Sequence, residues 1–449
     1  MPRRNLCWLL LITIVSMACY RQGLHNRYGR SASDVLDQIS RRYFEPVDDA
    51  TLFQGAVEGM LGELKDDYDA YISPAEQQEF EEAINKRFEG VGMEVSLDPK
   101  TKELTVISPL VDSPAYEAGV RAGDRILKID GRSTKDMSLK DSVEIMHGKP
   151  GTAVALCVLH EGERQPVDLQ VVRRTIVVDT VRGDTRNPDG SWNFLLAGRE
   201  HIGYVRITGF AEKTTDDLRP ALDWLADHQM RGLILDVRDN PGGLLDTATE
   251  VCDLFLPAVD KSKKGTADND AKVIVTTRGR EGQVLRRVEA SGNGPFTAFP
   301  MVVLVNQYSA SASEIVAACL QDHHRAQIVG QRTWGKGTVQ EVIDLGEHRG
   351  ELKLTVASYW RPSGKNIHRR HDATPSDTWG VSPDKGCKVV VEGEDFKQLF
   401  RWRQQRDVFR GGEKPHAAPA TKPDTFVDRQ LAKAIACVEE SLRKKPEGN

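Results

Sequence analysis

The sequence predicts an α/β protein with a helical N-terminal region and an inserted β-rich module. Three observations carry this prediction. Residues 33–87 have the apolar spacing of helices. Residues 88–176 are short β-type segments punctuated by glycines. From residue 201 onward, strand-type and helix-type segments alternate, which is the pattern of a layered α/β core.

At 449 residues the chain is too long for one compact domain and long enough for two or three. Its 39% hydrophobic and 28% charged content is that of an ordinary globular protein. The net charge of −5 supplies no attraction for a nucleic acid. Arg3 and Arg4 precede an apolar run over residues 6–20, so residues 1–20 read as an export signal or membrane anchor. The run is shorter than the roughly 20 apolar residues a spanning helix needs. Small residues before Cys19 suit a signal-peptidase site or a degenerate lipoprotein site, and an uncleaved anchor stays open. The expected location is the cell envelope, periplasmic or anchored and facing outward, with membrane contact only through this segment. Of seven cysteines, Cys7 and Cys19 lie in it. The other five are scattered among apolar neighbours and read as buried thiols. The histidines form no H-E-x-x-H or Cys/His pattern, so no metal and no cofactor are expected.

The elements follow in order. In 33–87, Val35, Ile39 and Tyr43 share one helical face, while Leu52, Ala56, Met60 and Leu61 share another. Asp48-Asp49 supply a helix start, and a charged helix is expected over 75–87. In 88–176, Gly90-Val91-Gly92-Met93 opens a strand and residues 104–107 form a second. A short helix follows Ser113, and 138–146 is an amphipathic helix with Leu139, Val143 and Met146 on one stripe. This module, carried by SPAYEAGVRAGDRILKIDG and HGKPGTAV, closely resembles a PDZ domain of the bacterial protease type. A glycine-rich turn whose N–H groups form an anion nest suits a peptide carboxylate, and the adjacent strand edge can accept an extended peptide. The expected peptide-binding residues are Gly90, Val91, Gly92, Met93, Leu139, Val143 and Met146, with core packing as the competing role of the helical three.

In the core, strands are expected at 202–207, 233–237, 272–277, 301–305 and 352–360, and helices at 214–229 and 244–256. Residues 257–300 read as a surface insertion or hairpins, 413–424 as a Pro/Ala/Lys linker, and 426–442 as a terminal amphipathic helix. The domain division is therefore 1–20, 33–87, 88–176, 177–385 and 386–449.

The chemistry concentrates in residues 301–340. A strand runs into a turn carrying Ser309, Ser311 and Ser313, then a helix, then Gly335-Lys336-Gly337. A serine hydroxyl needs a base to become a nucleophile. No histidine sits in a recognisable triad motif, and a lysine can serve when shielded and neutral, with Trp334 available to exclude water. A turn lysine on a hairpin is the plainer alternative for Lys336. Ser311-x-x-Glu314 is also a capping box, whose serine caps a helix without doing chemistry. Both readings put Ser311 at a helix N-terminus, beside the Ala312 N–H. Residues 239–243, Asp-Asn-Pro-Gly-Gly, follow a strand and open a helix, and so offer a second N–H donor.

Taken together, LILDVRDNPGGLL, VLVNQYSASASEIVAACLQDHHRA, VGQRTWGKGTVQ, LTVASYWRPSGKNI and WGVSPD resemble the carboxyl-terminal processing proteases over residues 34–383. These are tail-specific serine peptidases with a PDZ domain. The resemblance implies a crotonase-like protease core, Ser311 as nucleophile, Lys336 as general base and Gln340 as the residue orienting the lysine. It gives Gly243 and Ala312 the oxyanion hole, with Gly242 as the fallback. It implies activity that rises with pH as the lysine loses its proton, and a PDZ domain that binds substrate C-termini and gates cleavage. Polypeptides with free C-termini are the implied partners; an adaptor or regulatory protein and a homodimer stay open. A non-catalytic PDZ adaptor and an acyl-CoA enzyme are the rival functions. Two stretches depart from the family pattern: residues 64–69, where an L-D-P-H-S-like segment is usual, and residues 368–379, which are longer than the usual link.

Overall fold

A computed structural model describes residues 27–257, 272–346, 349–409 and 426–444, with Thr13 and Ser16. The export segment apart from Thr13 and Ser16, the first part of the expected insertion and all of the 413–424 linker lie outside the described residues. The chain divides into two compact units, Met1–Gln77 with Gln340–Thr355, and Gln78–Val339 with Val356–Asn449.

In the first unit, helices Arg27–Arg42 and Asp49–Gly62 precede a short strand, Ala70–Ile72. Asp48 caps the second helix by accepting the Thr51 N–H at 3.1 Å. The short strand, absent from the sequence reading, pairs antiparallel with residues 351–353. Of the two expected apolar faces, Val35, Ile39, Tyr43 and Met60 face solvent, while Leu52 and Leu61 are half-buried. Val57 is the buried residue of its helix. Helical periodicity reports that a side of a helix is apolar, not that something covers it.

A charged helix, Gln77–Asn85, belongs to the second unit from Gln78 onward. Its β-rich module is a sheet in the order Met93–Leu97, Leu104–Pro109, Arg125–Ile129, Ala153–Leu159, Val167–Val172, closed over a core of Leu104, Val106, Ile126, Ile129, Leu156 and Val158. Met93–Leu97 is an edge strand of that sheet.

The α/β core is built on strands Arg199–Ile207, Gly232–Asp236, Met301–Val305 and Gln327–Gly330, parallel throughout and in that spatial order. Gly232–Asp236 and Met301–Val305 are buried at every position, as expected of parallel strands covered on both faces. The period of two sorts their side chains. Val205, Ile207, Leu233, Leu235, Val303 and Val305 pack with helices Thr214–Asp227, Leu245–Phe255 and Ala312–Asp322. Tyr204, Ile234, Val302, Leu304 and Val329 point the other way, to Leu431, Ala434 and Val438 of helix Arg429–Lys444. The terminal helix is thus the second covering layer. Strands Val273–Arg278 and Val284–Glu289 form an antiparallel hairpin within the expected insertion. A further helix, Gly393–Asp407, lies in the 386–449 tail, ahead of the terminal helix. Cys252, Cys319, Cys387 and Cys437 are buried free thiols, and Cys157 is half-buried.

A buried ion network ties these layers at the carboxyl end of Gly232–Asp236. Arg238 donates to Asp236 at 2.7 Å, to Asp428 Oδ1 at 3.0 Å and to Gln430 Oε1 at 3.1 Å. Against the cost of burial, Arg238 and Arg403 hold the Asp236 carboxyl well below the usual carboxylate range. Removing one member of such a set strands the others. Asp428→Ala is therefore expected to lower stability to urea by about 3–5 kcal/mol; a midpoint within error of wild type would contradict the network's structural role.

Candidate active site

The Ser311 turn and the 239–243 loop leave neighbouring parallel strands at their carboxyl ends, the usual location of sites in open α/β sheets. Side chains stitch them together. Asn306 donates to Asp239 Oδ1 at 2.7 Å and accepts the Asp239 N–H at 3.0 Å. Ser309 Oγ donates to the Val237 carbonyl at 2.8 Å, and Ser313 Oγ donates to the Asn240 carbonyl at 2.9 Å. Ser309 and Ser313 are fully buried, with their hydroxyls committed to backbone. Of the three serines, Ser311 alone combines partial exposure, 7%, with φ +55° and ψ −115°. That conformation is costly for any residue with a Cβ and persists only when the surroundings impose it.

The facing loop approaches closely. A Cβ on Gly242 would lie 2.8 Å from Ser311 Cβ and 3.0 Å from the Ala312 nitrogen. The Gly242 N–H is already donated to Asn240 Oδ1 at 2.8 Å. Gly243 forms a parallel bridge with Phe210, made by Phe210 N–H to Gly242 O and Leu244 N–H to Phe210 O. The Gly243 N–H takes no part in that bridge. Ala312 heads its helix, where N–H groups have no intrahelical carbonyl.

Glu314 is the residue whose role the sequence reading understated. Its carboxylate is 0% exposed and accepts from four donors. Oε2 receives Ser311 N–H at 2.9 Å and Lys336 N–H at 2.8 Å. Oε1 receives Gly335 N–H at 2.7 Å and the Thr333 hydroxyl at 2.5 Å. One oxygen therefore holds the backbones of both Ser311 and Lys336. Burial pushes the Glu314 carboxyl up to about 7, opposed by these donors. The capping box does exist, but its glutamate reaches beyond the helix end to the lysine loop. The available signal was an acidic residue inside an otherwise small and apolar run, 309–320.

Lys336 is half-buried in the loop before strand Thr338–Asp344. Trp334, the expected shield, is 46% exposed. Tyr359, also unassigned from sequence, donates its N–H to the Gly337 carbonyl at 2.7 Å; burial pushes its phenol up to about 12. Gln340 belongs to the other unit, where its amide donates to Thr355 Oγ1 at 3.0 Å.

The PDZ residues separate into two groups. Leu139 is exposed and Val143 half-buried, whereas Met146 is 3% exposed and part of the domain core. The apolar stripe is thus divided between surface and interior by one helical turn. Gly90, Val91 and Gly92 are buried, and Met93 begins the edge strand. Gly92 has φ +77°, and a Cβ there would meet Ser113 Cβ at 2.4 Å, so the turn admits only glycine.

Known proteins match this chain over most of its length. The descriptions "Peptidase family S41", "PDZ domain" and "Activating protease CtpB N-terminal domain" match residues 201–385, 105–159 and 30–75. The carboxy-terminal-processing protease of Bartonella bacilliformis is 38% identical over 393 residues, 84% of this chain and 82% of that protein. The carboxy-terminal processing protease CtpA of Bacillus subtilis is 34% identical, over 89% of this chain and 75% of its own. A solved structure, the photosystem II D1 C-terminal processing protease, is 29% identical over 81% of this chain and 89% of its own, with a TM-score of 0.44. With its α/β core, PDZ domain and serine turn, the chain belongs to the carboxy-terminal processing proteases, serine peptidases of family S41.

Proposed function

We propose that the protease acts through a Ser311–Lys336 dyad on exported polypeptides presented by their C-termini. The observation that carries this reading is the single Glu314 oxygen accepting the N–H groups of both Ser311 and Lys336, with Ser311 held at φ +55°. The substrate carbonyl lies against the Gly243 and Ala312 N–H groups. Neutral Lys336 takes the Ser311 Oγ proton as Oγ attacks the carbonyl carbon, and the negative oxygen forms between the two N–H donors. Protonated Lys336 gives the proton to the leaving amine, and water then cleaves the acyl-enzyme. The Gly242 N–H bond to Asn240 favours Gly243 as the first donor.

The PDZ edge strand from Met93, with Leu139 and Val143 of the facing helix, takes the substrate tail and gates the reaction. Residues 1–20 direct export to the cell envelope, and the core is of crotonase type, with boundaries at 88–176 and 177–385.

The test is incubation of a cell-envelope extract with wild type and with Ser311→Ala, followed by mass spectrometry of new C-termini. New C-termini are expected with wild type only. Equal sets from both proteins would end the assignment of Ser311.

A further inference from the structure

The helix Gly393–Asp407 lies outside every matched family region, yet it touches both halves of the catalytic turn. Arg403, 7% exposed, donates through Nη1 to Asp239 Oδ2 at 2.7 Å and through Nη2 to Asp236. Asp239 opens the loop that carries Gly242 and Gly243, and it holds φ +57°, an uncommon conformation that needs external support. Its carboxylate is gripped from two sides, by Arg403 on one oxygen and by Asn306 on the other. Phe396, two helical turns before Arg403 on the same face, sets its ring 5.2 Å from that of Tyr308. Tyr308 precedes Ser311 by three residues, so one helix face holds the oxyanion loop and the serine turn together.

The other end of this helix meets the PDZ domain. Asp407 accepts from Arg182 at 2.7 Å and also from Arg206, and Arg406 donates to Asp184 at 2.6 Å, which anchors the helix end to the core. Two residues on, the Phe409 N–H donates to Ser108 Oγ at 3.2 Å and its ring lies 5.6 Å from that of Tyr116. Ser108 is in strand Leu104–Pro109 and Tyr116 in helix Pro114–Glu117, both of the PDZ domain.

We propose that Arg403 is a positioning residue for the oxyanion loop, and that the helix carrying it transmits the placement of the PDZ domain, read through Phe409, to that loop. A guanidinium is suited to the task because its planar fork reaches two carboxylates at once; a lysine keeps the charge but has one point of contact. The proposal rests on the assignment of Gly243 and Ala312 as oxyanion donors.

The test uses the full chain and an unstructured fluorogenic peptide, with its C-terminus free or amidated. Arg403→Lys is expected to lower kcat about tenfold or more while KM stays within about twofold, because an oxyanion donor acts in the transition state and not in ground-state binding. Inhibition by a peptide aldehyde, whose hemiacetal oxygen occupies the oxyanion position, is expected to weaken by the same factor as kcat. Phe409→Ala, which leaves Arg403 in place, is expected to move the kcat ratio of free to amidated substrate toward one. Wild-type kcat and aldehyde affinity in Arg403→Lys would overturn the positioning role. So would a loss explained wholly by a smaller folded fraction, with unchanged aldehyde affinity per folded molecule. A wild-type substrate ratio in Phe409→Ala would overturn the transmission. If Ser311→Ala cleaved as well as wild type, the dyad assignment would fail instead, whatever Arg403 does.

Discussion

Ser311→Ala and Lys336→Ala are each expected to reduce kcat by about 10⁴-fold or more, with the fold intact. The nucleophile supplies the attacking atom and the base removes its proton, so each loss alone disables the chemistry and the double variant is expected to be little worse than either single. Stability should hardly change. Alanine keeps the Cβ of Ser311, and Lys336 is half-buried, with its backbone N–H bonded to Glu314 whatever the side chain. Lys336→Arg separates two roles for the amine. Arginine keeps a cation in the loop but cannot act as a neutral base, so it is expected to be as inactive as alanine. Measured turnover of an unstructured peptide decides this; near-normal rates in Lys336→Arg would mean the residue contributes charge and some other group takes the proton.

The second large effect is expected at Glu314. In Glu314→Gln one acceptor oxygen becomes an NH₂ group. Both oxygens carry two donors, Ser311 and Lys336 N–H on one, Gly335 N–H and Thr333 hydroxyl on the other. With the NH₂ toward Ser311 and Lys336, two buried N–H donors face a donor and the link between the two loops is lost; turned the other way, the Gly335 N–H faces a donor while the Thr333 hydroxyl can turn to accept. Each mismatched N–H costs about 1–3 kcal/mol. The expected result is a loss of about 100-fold in kcat with a smaller change in KM, since a displacement of the order of 1 Å costs that much. A wild-type kcat would remove Glu314 from the positioning of the dyad.

The same carboxyl has a signature in stability against pH. Burial raises its folded-state value to about 7 from 4.5. A raised carboxyl stabilises the fold fully below its unfolded value, and that contribution is lost as pH rises through the folded value. The window is therefore pH 4.5 to about 7, and the contribution lost across it is about 3 kcal/mol. Unfolding free energies measured across that window should fall with pH in wild type on this account, and Glu314→Gln should lack that part of the slope. Parallel curves for the two proteins would assign the pH dependence elsewhere.

Much of the fold was legible because its signals are local. The Gly232–Asp236 and Met301–Val305 strands are unbroken apolar runs, and the helix after Ser311 follows from its capping box and stripe. The PDZ segment was legible from its glycine punctuation, including the Gly92 turn where no Cβ fits. Val35, Ile39 and Tyr43 share a helical face and are exposed, while Met146, on the expected pocket stripe, takes the competing core role. Spacing reports which side chains share a face and carries no information about what lies opposite.

Read as a string, residues 301–340 already contain the serine turn, the helix start and the glycine-flanked lysine, because each is a short-range pattern of backbone preference. The capping box and the family motif single out Ser311 among the three serines. Long-range contacts add the physical contrast: Ser309 and Ser313 bond to backbone 72 and 73 residues away, and Ser311 is left strained in the turn. Glu314 acquired its role the same way, through donors 19 to 22 residues along the chain. Arg403 did so from 164 residues away. A buried carboxylate or guanidinium is defined by the partners that fold around it, and those partners are set by how the layers stack.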